Sequence, residues 1–460
     1  MRNKKSLRDL QRSVMVVALS LAAAAAQAQV VSGSSSDASA PDYTVHPGDT
    51  MMGGHVVIPQ SSIENPGDVG LRAHTNTRIF VPQRGTQAQP GIPAGAGVVP
   101  PPNSATVQPV AGLFAETPAS LACVYAQVTP TAGCNASTLT TNATGGAGRV
   151  VIVDAYDDPS AVADLQAYST QFGLPPPILS VIYASGTQPA GNIGWAQEES
   201  LDLDMVHAMA PGAQIVLVEA ASNSFTDLFQ AEDVATAAAA ATEGEVTNSW
   251  GGGEFLGETS YDTHFAGAKV VYFASTGDAP GVEFPSVSPN VVAAGGTSLA
   301  RNLDATLSYR LDTSWVDGGG GPSAYYARPS YQNALAARIG ANRSVPDIAF
   351  DANPITGVWV YCSTGCGNTG TTDWMIFGGT SVASPALAGI VNAASSFLAS
   401  SSAELTKIYS NLGNSNFTTV EYGTCGPRVA YLTRIPTPSN PGLQYNACAG
   451  LGTPFGRGGL

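Results

Sequence analysis

Five histidines are present, and none is followed by glycine. No Gly-x-Ser-x-Gly occurs either, so neither a His-Gly-Thr base loop nor the nucleophile elbow of the α/β hydrolases is available. Positive charge is scarce: 19 Lys and Arg face 34 Asp and Glu, the formal net charge is −15, and charged residues make up only 12% of 460. That balance excludes nucleic acid and an anionic membrane surface as natural partners. No apolar run reaches the about 18 residues of a spanning helix, so no membrane anchor is expected. No histidine lies near any cysteine, which leaves a zinc site without ligands.

What is present begins with an export signal. Arg2, Lys4, Lys5, Arg8 and Arg12 precede an apolar run, Ser13 to Ala26, and Ala26-Gln27-Ala28 offers a cleavage site. Residues 1–28 are read as a signal peptide, giving a secreted or periplasmic protein. The six cysteines suit an oxidising compartment. They fall into three local pairs, Cys123/Cys134, Cys362/Cys366 and Cys425/Cys448, which is one of the fifteen pairings six cysteines allow.

Residues 29–115 are rich in Gly, Pro, Ser, Val and Thr and read as a mostly irregular leader or short pro-segment. Pro90, Pro93, Pro100, Pro101 and Pro102 mark a linker. Arg72 to Pro82 has the composition of one or two strands, and no chemistry is apparent in it.

From residue 116 to 460 the texture changes. Apolar runs at Arg149–Val153, Ile215–Val218, Val246–Trp250, Val270–Ala274 and Val291–Ala294 alternate with helical patterns. The helical patterns cover Pro159–Gly173, Glu198–Ala210, Ser224–Thr242 and Glu258–Ala268. Continuous apolar strands between helices predict an α/β, doubly wound, mainly parallel sheet with helices on both faces. Ligands in such sheets bind beyond the carboxyl ends of the strands. Gly318–Gly321 lacks the following Lys of a phosphate loop and suits a loop lining a peptide. After the helix that follows Ser381, the chain reads as loop-rich.

Three segments could carry chemistry. Gly378-Gly379-Thr380-Ser381, with Pro385 beyond, puts a serine at the head of a small-residue helix; its ordinary reading is a helix cap. Glu198 and Asp202 stand four apart, so a helix stacks them on one face, where they hinder each other's ionisation. Their ordinary reading is an acidic helix start. Asp278 in Ser275-Thr276-Gly277-Asp278 follows a strand, where a protonated carboxyl can donate to a developing oxyanion. Its ordinary reading is a turn residue. His207 reads as a packed or solvated helix residue rather than a base.

Together these segments resemble the sedolisin family, the serine-carboxyl peptidases. The resemblance covers about residues 116–455. Its pieces are Glu198-x-x-x-Asp202 leading to His207-Ala208-Met209-Ala210-Pro211-Gly212-Ala213, Asn248-Ser249-Trp250-Gly251-Gly252, Ser275-Thr276-Gly277-Asp278, Phe284-Pro285, Gly295-Gly296-Thr297, Val345-Pro346-Asp347 and Gly378-Gly379-Thr380-Ser381. It implies a subtilisin-like fold and an endopeptidase acting at acid pH on protein or peptide substrates, as a monomer. It implies Ser381 as nucleophile, Glu198 as general base, Asp202 as its partner and Asp278 as oxyanion donor. Trp250 and Asp154 match positions that extend the hydrogen-bond chain, with Asp where Glu is commoner.

Two departures stand out. The family's terminal calcium site is built from two aspartates and backbone carbonyls. Here the matching positions near Thr419, Val420, Gly442 and Asn446 lack those aspartates, so no cofactor is assigned, and a Cys425–Cys448 bridge can staple the same segments. The leader is also shorter than the family's folded propeptide. These two features motivate an alternative, a catalytically silent exported binding protein.

Overall fold

Neighbouring residues of the strand Arg149–Ala155 face opposite layers. Val150 and Ile152 pack with Leu201, Met205 and Ile390, whereas Val151 and Val153 pack with Leu228, Ala231 and Ala235. A strand covered on both faces has no polar side, which is why its sequence is an unbroken apolar run. The computed structural model describes residues 43–51, 54–82, 108–110, 113–302, 307–366, 373–426 and 445–460. The expected signal peptide, the Pro90–Pro102 linker and Gly442 lie outside them.

The central sheet runs in the order Tyr309–Ser314, Val291–Arg301, Val270–Ser275, Gly244–Asn248, Arg149–Ala155, Gln214–Ala220, Ile178–Tyr183, with Ile348–Asp351 also paired to Val291–Arg301. These pairings are parallel except for Tyr309–Ser314. Helices Ile193–Met209 and Thr380–Ala394 cover one face and Phe225–Ala240 the other. This is the α/β, mainly parallel, subtilisin-like arrangement that the sequence implies. Among the described residues no helix is long and apolar enough to cross a membrane.

Some local expectations change. The helix expected over Glu258–Ala268 is a 3-10 helix, Glu258–Phe265, with only Glu258 and Phe265 buried, so little packing supports a full α-helix. The region after the Ser381 helix is not all loop. Ser400 caps a helix, Ser401–Ser410, which seats Leu405, Ile408 and Tyr409 in the core. Ile178–Tyr183, not anticipated, forms a half-exposed edge strand.

Residues 43–51 and 54–82, expected to belong to a mostly irregular leader, instead form strands built into the fold. Gly54–Pro59 pairs with Arg78–Pro82, which pairs in turn with Trp374–Gly378, all antiparallel. His74–Thr75 pairs with Trp250–Gly251 in a separate three-stranded sheet. All six cysteines are bridged in the local pairs, Cys123–Cys134, Cys362–Cys366 and Cys425–Cys448.

Candidate active site

The strand Trp374–Gly378 runs directly into the helix Thr380–Ala394 through Gly379, at φ 101°. A Cβ at Gly379 would fall 2.0 Å from the carbonyl oxygen of Asn76 and 2.6 Å from Asp278 Oδ2. Only glycine leaves that space open. Because Gly379 has no side chain, the helix is capped from elsewhere: Asp278 Oδ1 accepts from Thr380 N at 2.7 Å and Thr380 Oγ1 at 2.9 Å. Ser381 is therefore the second helical residue rather than the cap, and its hydroxyl donates to the carbonyl of Ser249 at 3.2 Å. Pro385 lacks an N–H, so the carbonyl four residues back, that of Ser381, has no helical donor. Ser249 Oγ lies 3.4 Å from it, with its proton directed to Asp202 Oδ1 at 2.7 Å.

Glu198 and Asp202 lie on the helix Ile193–Met209, started by Asn192, whose side chain accepts from Gly194 N and Trp195 N. Every residue from Trp195 to Met209 is buried, and Glu198 and Asp202 are fully so. Burial pushes Glu198 up to about 8, with the hydroxyls of Ser381 and Thr77 beside it pulling it down; Thr77 Oγ1 donates to its Oε2, and its Oε1 has no hydrogen-bond partner among the described residues. Asp202 is also raised well above its ordinary value, by burial and by the charges of Asp154 and Glu198. Asp202 Oδ2 and Glu198 Oε1 make no hydrogen bond among the described residues, and two buried carboxyls this close oppose each other's ionisation, so a proton shared between them is favoured. Asp202 Oδ1 accepts from Ser249 Oγ at 2.7 Å.

Asp278 closes the arrangement. Burial lifts it to about 7, with Arg78 and Thr380 pulling it down. Its Oδ1 is occupied by Thr380, whereas Oδ2 makes no hydrogen bond among the described residues, lies 3.8 Å from Arg78 Nε and borders the space beside Gly379. Burial favours a proton on this carboxyl and Arg78 opposes it; a proton on Oδ2 would point into that space. Thr276 Oγ1 donates to Gly319 O at 3.0 Å and Gly319 N to Gly277 O at 2.8 Å, so the four-glycine loop braces the Asp278 turn.

The structure thus brings Ser381, Glu198, Asp202 and Asp278 together. The supporting pair sits nearby with a different pattern. Trp250 Nε1 donates to the carbonyl of Val153 at 2.9 Å, and neither carboxyl oxygen of Asp154 has a hydrogen-bond partner among the described residues. The extended chain through these two side chains is not formed; Asp154 acts on Glu198 and Asp202 by charge alone. His207 is a packed helix residue, with Nε2 2.9 Å from the carbonyl of Pro175.

Residues 72–82, in which no chemistry was apparent, require correction. Thr77 Oγ1 donates to Glu198 Oε2, Arg78 Nη2 to the carbonyl of Asp278, and Asn76 Nδ2 to Ser275 Oγ at 2.8 Å and Glu283 Oε2 at 3.2 Å. The only signal was the strand-like composition of Arg72–Pro82. Nothing in it says which surface the strand joins.

The calcium donors do not fit the ion. Asn446 Nδ2 donates to the carbonyl of Val420 at 3.1 Å and its Oδ1 accepts from Cys448 N at 2.8 Å, so both groups are satisfied within the protein. No cluster of three metal-binding side chains occurs among the described residues. Calcium prefers carboxylates.

No protein-family model matches the chain. Kumamolisin of Bacillus sp. (strain MN-32) is 30% identical over 333 residues, covering 65% of this chain and 56% of kumamolisin. Sedolisin of Pseudomonas sp. (strain 101) is 30% identical over 220 residues, covering 46% of this chain and 34% of sedolisin. The chain therefore spans about half, or less, of the curated relatives it matches. A solved structure of Pseudomonas sedolisin, a serine-carboxyl proteinase complexed with two molecules of pseudo-iodotyrostatin, superposes with a TM-score of 0.58 at 23% identity. That match covers 74% of this chain and 95% of the other. The chain is thus similar in sequence to kumamolisin and sedolisin, and it shares its fold with a solved sedolisin.

Proposed function

We propose that this chain is an exported serine-type endopeptidase that cuts proteins or peptides at acidic pH. The observation that carries the reading is the convergence of a buried carboxyl pair, Glu198 and Asp202, on the hydroxyl of Ser381, with the open Oδ2 of Asp278 beside it. Glu198 accepts the Ser381 proton as the hydroxyl attacks a peptide carbonyl, and Asp202 holds Glu198 in place through the proton it donates. The oxyanion meets the Ser381 N–H and the Asp278 carboxyl. Glu198 then protonates the leaving amine, and water releases the acyl group from Ser381. No histidine takes part.

Acid operation follows from the oxyanion donor, which works only while protonated and has its pKa near 7. Residues 116–460 would form the peptidase domain, residues 1–28 would direct export, and the enzyme would act as a monomer. Digestion of a denatured protein across about pH 3 to 8 by wild type and Ser381→Ala tests the reading, since burial raises Asp278 to about 7 and Glu198 to about 8. Activity confined to wild type supports it. Equal activity in both removes Ser381 from the mechanism.

A further inference from the structure

Ser249 stands between the strands Gly244–Asn248 and Trp250–Gly253 and is fully buried. It touches both the nucleophile and the partner of the base. Its carbonyl accepts from Ser381 Oγ at 3.2 Å, and its hydroxyl donates to Asp202 Oδ1 at 2.7 Å. The other acceptor near that hydroxyl is the Ser381 carbonyl, at 3.4 Å. Only a proton on Asp202 Oδ1 could reverse the 2.7 Å bond, and the Ser249 proton would then have to use the more distant acceptor. The shorter contact is the better hydrogen bond. It keeps Oδ1 free of a proton. On Glu198, Oε2 is taken by Thr77 Oγ1. Each carboxyl of the pair is thus left with one oxygen that makes no hydrogen bond among the described residues, Oδ2 on Asp202 and Oε1 on Glu198.

We infer that Ser249 is a positioning residue: by occupying Asp202 Oδ1, its hydroxyl confines the proton of the carboxyl pair to Asp202 Oδ2 and leaves Glu198 as the carboxylate that receives the Ser381 proton. The inference rests on the peptidase reading above and adds a reason why Glu198, rather than Asp202, is the base. As Ser381 Oγ attacks, its proton passes to Glu198, and the Asp202 proton stays where it is. Without the Ser249 hydroxyl, Oδ1 is open to that proton, which can then sit away from Glu198. A Glu198 carboxylate deprived of a donor is less stable, so Glu198 holds its own proton to higher pH. Two further titratable groups bear on the pair, Asp154 on the strand Arg149–Ala155 and Asp278 after the strand Val270–Ser275. A substitution at Ser249 leaves both in place.

The test is digestion of a labelled protein across about pH 3 to 8 by the full chain and its Ser249→Ala, Ser249→Thr and Ser381→Ala variants. Ser249→Ala is expected to lose roughly 10-fold in kcat with KM little changed, and the acid limb of its kcat profile should move up by about one pH unit. Ser249→Thr keeps the hydroxyl and should keep the wild-type acid limb. An acid limb unmoved in Ser249→Ala, a loss equal at every pH or a rise in KM alone overturns the inference. A displaced limb in Ser249→Thr does the same, since packing would then be the cause. Should Ser249→Ala not fold, Ser249→Cys, whose thiol is a weak donor, takes its place with the same expectation. All these results leave the peptidase reading standing while wild type digests the protein and Ser381→Ala does not. No digestion by wild type at any pH removes both.

Discussion

The backbone N–H of Ser381 donates to the carbonyl of Asn76 at 3.1 Å, across more than 300 residues of chain. This contact is possible because Gly379 has no side chain. Gly379→Ala would place a methyl 2.0 Å from that oxygen, on a backbone with φ 101°. The expected cost in stability is about 2 kcal/mol or more, with loss of activity. Thermal melting and protein digestion at acid pH check both; an active variant of unchanged melting temperature would contradict the geometry.

Asp278→Asn separates hydrogen bonding from protonation. Asp278 titrates near 7 and must be protonated to donate, so wild-type activity should fall as pH rises through that value. An asparagine donates at every pH. The alkaline limb of the kcat/KM profile should move up or vanish in this variant, whereas Asp278→Ala should lose on the order of 100-fold or more at all pH values.

Stability should decline from acid towards neutral pH. Burial raises Glu198, Glu219, Glu258 and Glu404 to about 8, 8, 8 and 7, and Asp312 to about 7. Unfolded carboxyls titrate near about 4. Between those values the folded chain holds more protons than the unfolded one, so the free energy of unfolding falls as pH rises. The contribution is complete below about pH 4 and is lost as pH climbs through 7 to 8. Melting temperatures at pH 4, 6 and 8, read in Ser381→Ala to prevent self-digestion, should decrease in that order.

Glu283 should decide which side chain precedes the cut bond. Its carboxyl faces the Asn76 amide, and a Cβ at Gly277 would fall 2.4 Å from it, so the pocket is both acidic and narrow. Peptides with Asn, Gln, Lys or Arg before the scissile bond are expected to exceed those with Leu in kcat/KM, and Glu283→Leu should reverse that order. An unchanged ranking would assign the selectivity elsewhere.

Chelation should leave the melting temperature unchanged. Asn446 satisfies the Val420 carbonyl itself, and Cys425–Cys448 joins the same segments through a 2.03 Å S–S bond. A drop in melting temperature with EDTA, reversed by calcium, would count against this.

The parallel sheet was legible because strands covered on both faces leave unbroken apolar runs, as in Val150–Val153. Glu198 and Asp202 could be paired from their four-residue spacing alone. Their approach to Ser381 could not, because it depends on how two helices, far apart in sequence, pack on one sheet face. Trp250 shows the limit of motif matching. Its position was foreseen, yet its indole N–H goes to a main-chain carbonyl, which no side-chain pattern encodes. The role of Asn76 and Thr77 was hidden for a related reason. They are short polar residues in a strand-like stretch, and their partners are backbone groups and carboxyls more than 100 residues away.

The antiparallel pairing of Gly54–Pro59 with Arg78–Pro82 straddles residues 76 and 77. The ladder on either side closes residues 60–77 into a loop anchored at both ends. Arg78–Pro82, paired on both sides, ties that loop to the strand that leads into the Ser381 helix, so loosening the loop would be felt at the serine.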